Sequence, residues 1–564
     1  MQFLVKLGSD AARPPTLGGL NCVAHSAGVA IFGGKDLKVE HFDDLTIIGK
    51  TYPAQYLDER NAPCRFSFDR IIDERWGTYV ALRFNQRINR LDVLTDPSAL
   101  VPCYYVADRN TATVGSDAAA VLRASGTPIE IDWDEVALQL LRRDWRGIRC
   151  SLKHLREVPA GAIVRVLGEP QPTVYLWSPA KCLRRTRLLT FDEAVQRIRS
   201  VVGYCVEQLI VGSGRMLAGV SGGLDSSIIA ACLKQSGADF ECFTMFDEGG
   251  DADERFYART LANHLGVRLT ERPYRVDDVE LEKSSVAILP RPVGWPFQQS
   301  LDCACREVLR ETGATAVIRG TGGDAVFCYN NSASPIVDAF LELGPMAAAN
   351  TCLDLSKLTG AGVGQCLKAA GRAVFRHRRP VIRVDGSLLS KDAISLPGAS
   401  LRHFWLTEGT DLPPGRQRQI DMLCAPHNAL EARLALSPSI LCPLLCQPVM
   451  ETCIKIPAWE WMRGGINRAP ARQAFADLLP ALIVNRTSKG GPGSFAARLY
   501  VANRAKIREL LMDGTLAARG IVDRTAVDRE TRSLGPDSPK ELLRLLALLD
   551  AEAWANHWVG LARA

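Results

Sequence analysis

The chain has 564 residues, which at about 100–200 residues per domain leaves room for two to four domains. Hydrophobic residues make up 47% and charged residues 23%, as in globular rather than disordered chains. The 68 Lys and Arg exceed the 62 Asp and Glu by only six. Spread over this length, that excess is too small to indicate nucleic acid or a membrane surface as a partner.

The sequence shows neither a membrane or secretory targeting signal nor a paired cysteine pattern. No apolar run approaches the roughly 20 residues that span a bilayer, and the N-terminus lacks the basic-then-apolar pattern of a secretory signal. We therefore expect a cytoplasmic protein whose 17 cysteines are reduced and pack as small apolar residues. The cysteines show no paired CxxC spacing, so the sequence favours no structural metal.

The first part of the chain reads as β-rich. Short apolar segments recur up to about residue 178, broken by Gly, Pro, Asn and Asp, with one helical pattern at 133–143. A polar, basic stretch then leads to a helix predicted at 191–210, with Thr190 as its N-cap. The predicted boundary near residue 185 separates two domains, residues 1–180 and residues 190–564.

Beyond that boundary, predicted strands and helices alternate. Strands are expected at 216–220, 240–246 and 315–320, and helices at 226–237 and 253–266. Continuously apolar strands separated by helices are typical of a parallel sheet covered on its faces. The last third is predicted to be mostly helical, ending with a helix over 539–558. Residues 370–400 are expected to be irregular, as in a mobile loop.

One motif indicates phosphate chemistry. The chain turns through 221-SGGLD-225 between a strand ending at Val220 and a helix starting at Ser226. Glycines let the backbone approach a ligand, and the free N–H groups of a helix N-terminus attract anions. A carboxylate in such a loop implies a bridging Mg²⁺. The candidate ligand-binding residues are Ser221, Gly222, Gly223, Asp225, Ser226 and Ser227.

The same string, SGGLDSS, resembles the pyrophosphate loop of the N-type ATP pyrophosphatases, which form AMP and pyrophosphate. A second cluster, 320-GTGGD-324, follows the predicted strand 315–320. Ligand groups gather at the carboxyl ends of parallel strands, so Asp324 is expected to share the magnesium with Asp225. Gly320 and Thr321 are expected to border the ATP. The remaining candidates in this loop are Gly322 and Gly323.

A third element, 482-LIVNRTSKGGPGSF-495, places Lys489 beside flexible glycines. A lysine there can neutralise phosphate charge in a transition state. Read alone, however, such a residue is an ordinary surface lysine.

The three clusters, in this order behind a β-rich half, resemble the glutamine-dependent asparagine synthetase family over nearly the whole chain. The resemblance implies an Ntn-hydrolase-like αββα sandwich, a degenerate glutaminase, followed by an adenine-nucleotide α-hydrolase-like parallel-sheet synthetase domain with a helical C-terminal part. It also implies ATP and Mg²⁺ as cofactors. In that alignment Val220 and Met245 pack on the adenine, Asp225 and Asp324 bind magnesium, and Lys489 is the catalytic lysine.

Two departures from the family bear on the substrate. The glutaminase nucleophile is an N-terminal cysteine, whereas this chain has Gln2 and no cysteine in the first twenty residues. Cys22 could serve only after removal of a propeptide, so we expect no glutamine hydrolysis. Near the second aspartate, Ala325 and Thr321 stand where asparagine synthetases carry Glu, which indicates an amine nucleophile other than ammonia. Thr321 is therefore a candidate catalytic residue.

Family members with ATP chemistry and no nucleophilic cysteine include the lasso-peptide cyclases and the β-lactam-forming synthetases. The strings GGDAVFC and TSKGG look most like the cyclases. The expected function is thus adenylation of an Asp or Glu side chain in a precursor peptide, followed by macrolactam closure by the peptide's own amine. The resemblance also implies a leader-recognition protein and a leader protease as partners. A β-lactam-type synthetase, an ammonia-dependent asparagine synthetase and an inactive peptide-binding scaffold stay open as alternatives.

Overall fold

The computed structural model describes most of the chain. The described residues are 1–7, 16–17, 19–26, 28–42, 44–54, 67–143, 145–185, 187–247, 253–376, 384–396, 403–434, 439–488, 490–491, 493–532 and 538–563. Lys489 lies outside them, as do residues 377–383 and 397–400 of the segment predicted to be irregular.

Two antiparallel sheets form the N-terminal part. In spatial order, the seven strands of the first sheet are Arg156–Glu157, Tyr104–Ala107, Ala112–Gly115, Phe3–Leu7, Val29–Gly33, Leu20–Ser26 and Thr16–Leu17. The six strands of the second sheet are Val174–Tyr175, Ala162–Leu167, Arg90–Thr95, Arg75–Asn85, Leu45–Pro53 and Val39–Phe42. The sequence signal for a β-rich half is therefore confirmed.

Strand alternation explains how the sheets stack. Along Phe3–Leu7, three side chains (Phe3, Val5 and Leu7) face the second sheet, whereas Leu4 faces helical residues. Along Arg75–Asn85, Val80 and Leu82 face the first sheet, and their neighbours face helices on the other side. Because successive side chains point to opposite faces, each sheet is buried on both sides. The layers are helix, sheet, sheet, helix, which confirms the αββα sandwich.

Helices of this part are Phe68–Glu74, Ala118–Ser125, Trp133–Leu141 and Pro179–Arg185. The next helix, Phe191–Ile210, begins at the predicted cap. The Thr190 side chain accepts the N–H of Glu193, whose carboxylate accepts the N–H of Thr190. This reciprocal pair satisfies two N–H groups that have no partner within the helix.

A five-stranded parallel sheet follows. Its strands, in spatial order, are Leu269–Pro273, Phe240–Phe246, Met216–Gly219, Ala316–Arg319 and Ser439–Leu441. The register places Gly219 between Phe243 and Arg319, so three strands end at one edge of the sheet. The helices from here to residue 376 are Leu224–Gln235, Arg255–Leu265, Gln298–Thr312, Gly323–Val326, Ser334–Leu343, Pro345–Thr359 and Val363–Arg376.

The last third is mostly helical, as predicted. Its helices are Lys391–Ile394, Phe404–Glu408, Pro414–Leu434, Gln447–Ile454, Ala469–Ala474, Ala481–Val484, Gly493–Asp513, Thr515–Ala518, Arg524–Arg532 and Pro539–Arg563. None of the helices in the described ranges has the length and apolar content to cross a membrane. Of the 16 cysteines in those ranges, all but Cys22 and Cys303 are buried, which confirms that they pack as core residues.

Several sequence-based element bounds are wrong, including the end of the last helix, which extends to Arg563 rather than residue 558. The helix after the glycine-rich motif begins at Leu224 rather than Ser226, because Gly223 already has the extended backbone of an N-cap. The helix predicted at 253–266 begins at Arg255. The segment 370–400 is not wholly irregular, since the amphipathic helix Val363–Arg376 continues into it and Lys391–Ile394 lies within it.

Candidate active site

The glycine-rich loop, residues 221–225, connects a central strand of the parallel sheet to the helix Leu224–Gln235. Gly223 caps this helix without a side-chain hydrogen bond, so N–H groups of the first turn stay available to a ligand. Gly222 has φ +63°, and a Cβ there would lie 2.2 Å from the Cβ of Tyr257. Only glycine fits at this turn.

The three serines of the motif have different surroundings. Ser221 and Ser226 line a large cavity, where the Ser221 N–H donates to Ser226 Oγ over 3.3 Å. Ser227 is fully buried and donates to the carbonyl of Gly223 over 2.8 Å. The Ser227 hydroxyl therefore stabilises the loop from its buried side. Neither Ser227 nor Gly222 lines the cavity.

The second loop, residues 320–324, lies directly against the first. A Cβ on Gly323 would lie 2.2 Å from Cγ of Asp225, so no larger residue fits between the two loops. All five residues of this loop line the same cavity as Val220, Asp225 and Met245. The structure thus brings together the two loops that the sequence analysis placed at neighbouring strand ends.

A cation from elsewhere in the chain bridges the two predicted magnesium ligands. Arg468 Nη1 lies 3.0 and 3.1 Å from the two carboxylate oxygens of Asp225 and 2.9 Å from Oδ1 of Asp324. Two carboxylates within reach of one nitrogen also fit a shared divalent cation, which prefers such oxygen ligands. Within the described ranges no group of three acidic, His or Cys side chains forms a metal site.

The cavity has a volume of about 780 Å³ and draws on both parts of the chain. Arg142 and Trp145 come from the N-terminal part, with the Arg142 guanidinium 4.6 Å from the centre of the Trp145 ring. His403 also faces the cavity, and burial lowers its pKa to about 3, so it is neutral at physiological pH. The other lining residues include Phe243, Tyr274, Trp295, Tyr329, Arg418 and Met422. This wall offers aromatic and cationic groups to a substrate.

The third predicted element is anchored around Lys489, which itself lies outside the described residues. Glu254 Oε1 accepts a hydrogen bond from Arg486 Nη2 over 2.6 Å and from the N–H of Gly490 over 3.0 Å. Arg486 Nη1 also donates to the carbonyl of Ser221 over 3.1 Å. Glu254 therefore holds both sides of this segment beside the glycine-rich loop.

A buried arginine connects these elements. Arg472 donates to Asn467 Oδ1 over 2.9 Å and to the carbonyl of Arg486 over 2.9 Å, and it also donates to the carbonyl of Val484. Burial and the nearby charge of Arg468 together lower the pKa of Arg472 to about 10, so Arg472 stays charged near pH 7.

Sequence reasoning missed Arg468, Arg486 and Glu254 as site residues. Arg486 lies inside the segment 482-LIVNRTSKGGPGSF-495, three residues before Lys489, so the sequence did offer a signal for Arg486 as a site residue. Arg468 and Glu254 lie outside the three segments that the sequence analysis singled out. Their roles follow from contacts between segments far apart in the chain, Arg468 being 243 residues from Asp225.

Fold and site together define an α/β protein with a glycine-rich loop and a carboxylate pair at the carboxyl edge of a parallel sheet. Residues 197–558 match the family model described as asparagine synthase. Because this match spans more than half of the chain, the protein belongs to the asparagine synthase family. The family resemblance inferred from the motifs is confirmed at this level.

Comparison with a curated relative covers a shorter segment. The chain is 32% identical over 124 residues to carboxyethyl-arginine beta-lactam-synthase of Streptomyces clavuligerus. That segment is 22% of this chain and spans only 23% of the relative's length.

Two solved structures align weakly. The first is glutamine phosphoribosylpyrophosphate amidotransferase from B. subtilis, complexed with ADP and GMP (13% identity, 66% of this chain, 87% of that chain, TM-score 0.20). The second is described as the allosteric regulatory enzyme of purine biosynthesis (12% identity, 56% and 74%, TM-score 0.19). TM-scores this low carry no argument about activity.

Proposed function

We propose that the protein is an ATP-dependent, AMP-forming amide ligase acting as a macrolactam synthetase of the lasso-peptide cyclase type. Membership of the asparagine synthase family supports the general reaction class, which is that of an ATP-dependent amide-forming ligase. The proposal rests on one observation. The glycine-rich loop, which ends with Asp225, and the second loop, which ends with Asp324, line one cavity and bring the two carboxylates together. ATP and Mg²⁺ are the cofactors that such a loop and carboxylate pair fit.

The proposed reaction has two steps. A carboxylate oxygen of the substrate attacks the α-phosphorus of ATP, which forms an acyl-adenylate and breaks the bond to pyrophosphate. The amine nitrogen then attacks the acyl carbon, the bond to AMP breaks, and the amine loses a proton. The result is one amide bond, AMP and pyrophosphate.

The residues of the chain divide this work. N–H groups and hydroxyls of the glycine-rich loop, including Ser221 and Ser226, bind the outer phosphates and leave the α-phosphorus open to attack. Asp225 and Asp324 hold Mg²⁺, which neutralises phosphate charge when bound. Lys489, between the anchored Arg486 and Gly490, supplies a further positive charge to the transition state. Val220 and Met245, which line the same cavity, would pack on the adenine.

The acceptor side favours a peptide over ammonia. Thr321 and Ala325, which replace the glutamates of asparagine synthetases, line the cavity near Asp324. The aromatic wall formed by Trp145 and Trp295 suits the side chains of a folded peptide. Holding the amine close to the acyl-adenylate would be the main contribution of this wall. In this proposal the precursor peptide is the substrate, a leader-recognition protein and a leader protease are partners, and the reaction takes place in the cytoplasm.

A β-lactam-type intramolecular amide synthetase is the second candidate. The 124-residue similarity to carboxyethyl-arginine beta-lactam-synthase favours it. Both candidates share the adenylation step and differ only in the acyl substrate.

Release of AMP with alternative substrates tests the proposal. The purified protein would receive ATP and Mg²⁺ with aspartate and ammonia, with aspartate and glutamine, with carboxyethyl-arginine, or with a leader-free precursor peptide encoded beside its gene. We expect AMP only with the peptide, together with the loss of one water from the peptide mass. AMP with matching asparagine would overturn the cyclase assignment, and AMP with carboxyethyl-arginine would support the second candidate.

A further inference from the structure

Arg468 occupies the position between the two carboxylates that the proposed function assigns to a cation. Its guanidinium nitrogen Nη1 contacts three carboxylate oxygens, two from Asp225 and one from Asp324, all within 3.1 Å. The side chains of Arg468 and Asp225 are only 9% and 13% exposed, and that of Asp324 is 40% exposed. Because Asp225 is largely shielded from water, its carboxylate beside that of Asp324 needs a counter-ion to offset their repulsion.

The backbone at Arg468 is built to present this side chain. Arg468 has φ +56°, a left-handed conformation that is uncommon for a residue other than glycine. The preceding Asn467 accepts Arg472 at both its backbone carbonyl, over 2.8 Å, and its side-chain oxygen, over 2.9 Å. The buried Arg472 therefore holds the turn from which Arg468 reaches the carboxylates.

Arg468 also has a second contact on the cavity side. Its guanidinium lies 5.1 Å from the centre of the Tyr329 ring, and both residues line the cavity. A cation over an aromatic face is favourable, so the side chain retains a partner when its carboxylate contacts break.

We propose that Arg468 is a displaceable counter-ion that keeps Asp225 and Asp324 assembled and excludes a divalent cation until the cation arrives with nucleotide. This inference rests on the proposed function, which assigns the carboxylate pair to Mg²⁺. A free dication competes with a guanidinium already in place, whereas a dication bound to ATP brings phosphate oxygens that also attract the released guanidinium. Arg468 is thus a positioning residue that couples metal binding to nucleotide binding.

Metal binding without nucleotide tests this role directly. The full chain would be titrated with Mn²⁺ in the absence of ATP, with free Mn²⁺ followed by electron paramagnetic resonance. We expect wild-type protein to bind Mn²⁺ weakly and R468M to bind it at least about tenfold more tightly, because the carboxylates lose their competing charge. R468K, which keeps a cation, should resemble the wild type.

Two further variants make the result specific. Asp324→Asn added to R468M should remove the gained affinity, because one of the two ligands is lost. R463M is the matched control: Arg463 belongs to the same segment, is 57% exposed and pairs with Glu460, so its loss should leave Mn²⁺ binding unchanged. Thermal melts would show whether R468M folds, and R468Q, which retains hydrogen-bond donors without charge, replaces it if it does not.

Equal Mn²⁺ affinity in the wild type and the folded neutral variant would overturn the proposal. So would a gain that persists when Asp324 is also replaced. Because this measurement uses no nucleotide and no acyl substrate, its failure leaves the AMP-release test of the proposed function unaffected. Conversely, absence of AMP with every substrate would not alter the Mn²⁺ result.

Discussion

Individual side chains at the site act mainly through charge. The Asp225 carboxylate accepts a hydrogen bond from the Arg468 guanidinium, and Gly323 of the second loop packs against the Asp225 side chain. Its carboxylate is therefore the point where the glycine-rich loop, the second loop and the C-terminal part meet.

Asp225→Asn should reduce AMP formation by about 100-fold or more, because a bound metal ion contributes several kcal/mol of charge stabilisation. Asparagine keeps the shape of the side chain, so circular dichroism should match the wild type. Single-turnover AMP release measures the effect. Ser236→Ala, in the C-cap of the same helix and outside the cavity, is the control. Full activity in the Asp225 variant would contradict the assigned role.

At the scale of elements, strand order explains why distant motifs meet. Met216–Gly219 and Ala316–Arg319 are about 100 residues apart in sequence yet are hydrogen-bonded neighbours in the sheet. Since parallel strands end at the same edge, the loops that follow them must converge. The segment that carries Lys489 follows the helix Ala481–Val484 instead of a strand, so its position depends on side-chain anchors such as Glu254.

Glu254→Gln should slow AMP formation by about tenfold or more, because a hydrogen bond between charged groups contributes about 1.5–3 kcal/mol to holding Arg486. Nucleotide affinity should change less, since the glycine-rich loop is untouched. Steady-state rates and nucleotide titrations separate the two effects. Asp253→Asn is the matched control, because the neighbouring Asp253 pairs only with Arg255 among the described contacts. Equal loss in both variants would show that Glu254 has no special role.

For the molecule as a whole, the N-terminal sandwich and the parallel-sheet part share their cores. One apolar cluster joins Leu45 and Tyr79 to Ile198 and Ile228, and another joins Leu4 and Leu140 to Trp554. The cavity wall likewise includes Arg142 and Trp145. The N-terminal part therefore contributes side chains both to the shared cores and to the cavity wall.

A buried ion pair crosses between the two parts. Glu157 accepts Arg146 over 2.8 Å and lies 2.6 Å from Arg291, which comes from the C-terminal part. Burial raises the pKa of Glu157, but the two guanidinium groups outweigh this and bring it below its usual range.

Arg291→Met should destabilise the protein by about 3–5 kcal/mol, the usual effect of breaking a buried ion pair. Urea unfolding followed by tryptophan fluorescence would show a lower midpoint. Arg149→Met, at a side chain that is 66% exposed, should leave the midpoint nearly unchanged. A variant at position 291 with the wild-type midpoint would show that the two parts do not depend on this contact.

Stability should also depend on pH through Asp96. Burial raises its pKa to about 7, against the opposing effect of hydrogen bonds from Ser98. Between about pH 4 and 7 the folded chain holds a proton that the unfolded chain has lost, so stability rises as pH falls, by up to about 1.4 kcal/mol per pH unit. Asp96→Asn should remove this contribution. Urea midpoints of the wild type and the Asp96→Asn variant at pH 5 and pH 8 isolate the contribution of Asp96. The same change in midpoint between the two pH values in both proteins would contradict the raised pKa of Asp96.

Much of the site was determined by sequence alone. Strand–helix alternation, the glycine-rich turn at 221–225 and the cluster at 320–324 are local patterns, because backbone conformation and anion binding depend on neighbouring residues. Those patterns indicated the parallel-sheet fold, the family resemblance and the meeting of Asp225 with Asp324, whereas the αββα sandwich was implied by the resemblance. Helix boundaries such as Leu224 were missed by one or two residues, since a cap is defined by backbone angles rather than residue type.

Only the tertiary structure decided which cation faces the carboxylate pair and which residues close the cavity. Arg468 and Glu254 are buried or half-buried charges whose partners lie more than 140 residues away in the sequence. A buried charge must be paired, but its sequence position does not say with what, because desolvation and pairing depend on the packing of the whole chain. Sequence therefore determined the chemistry of the loops, and packing determined the charges that hold them in place.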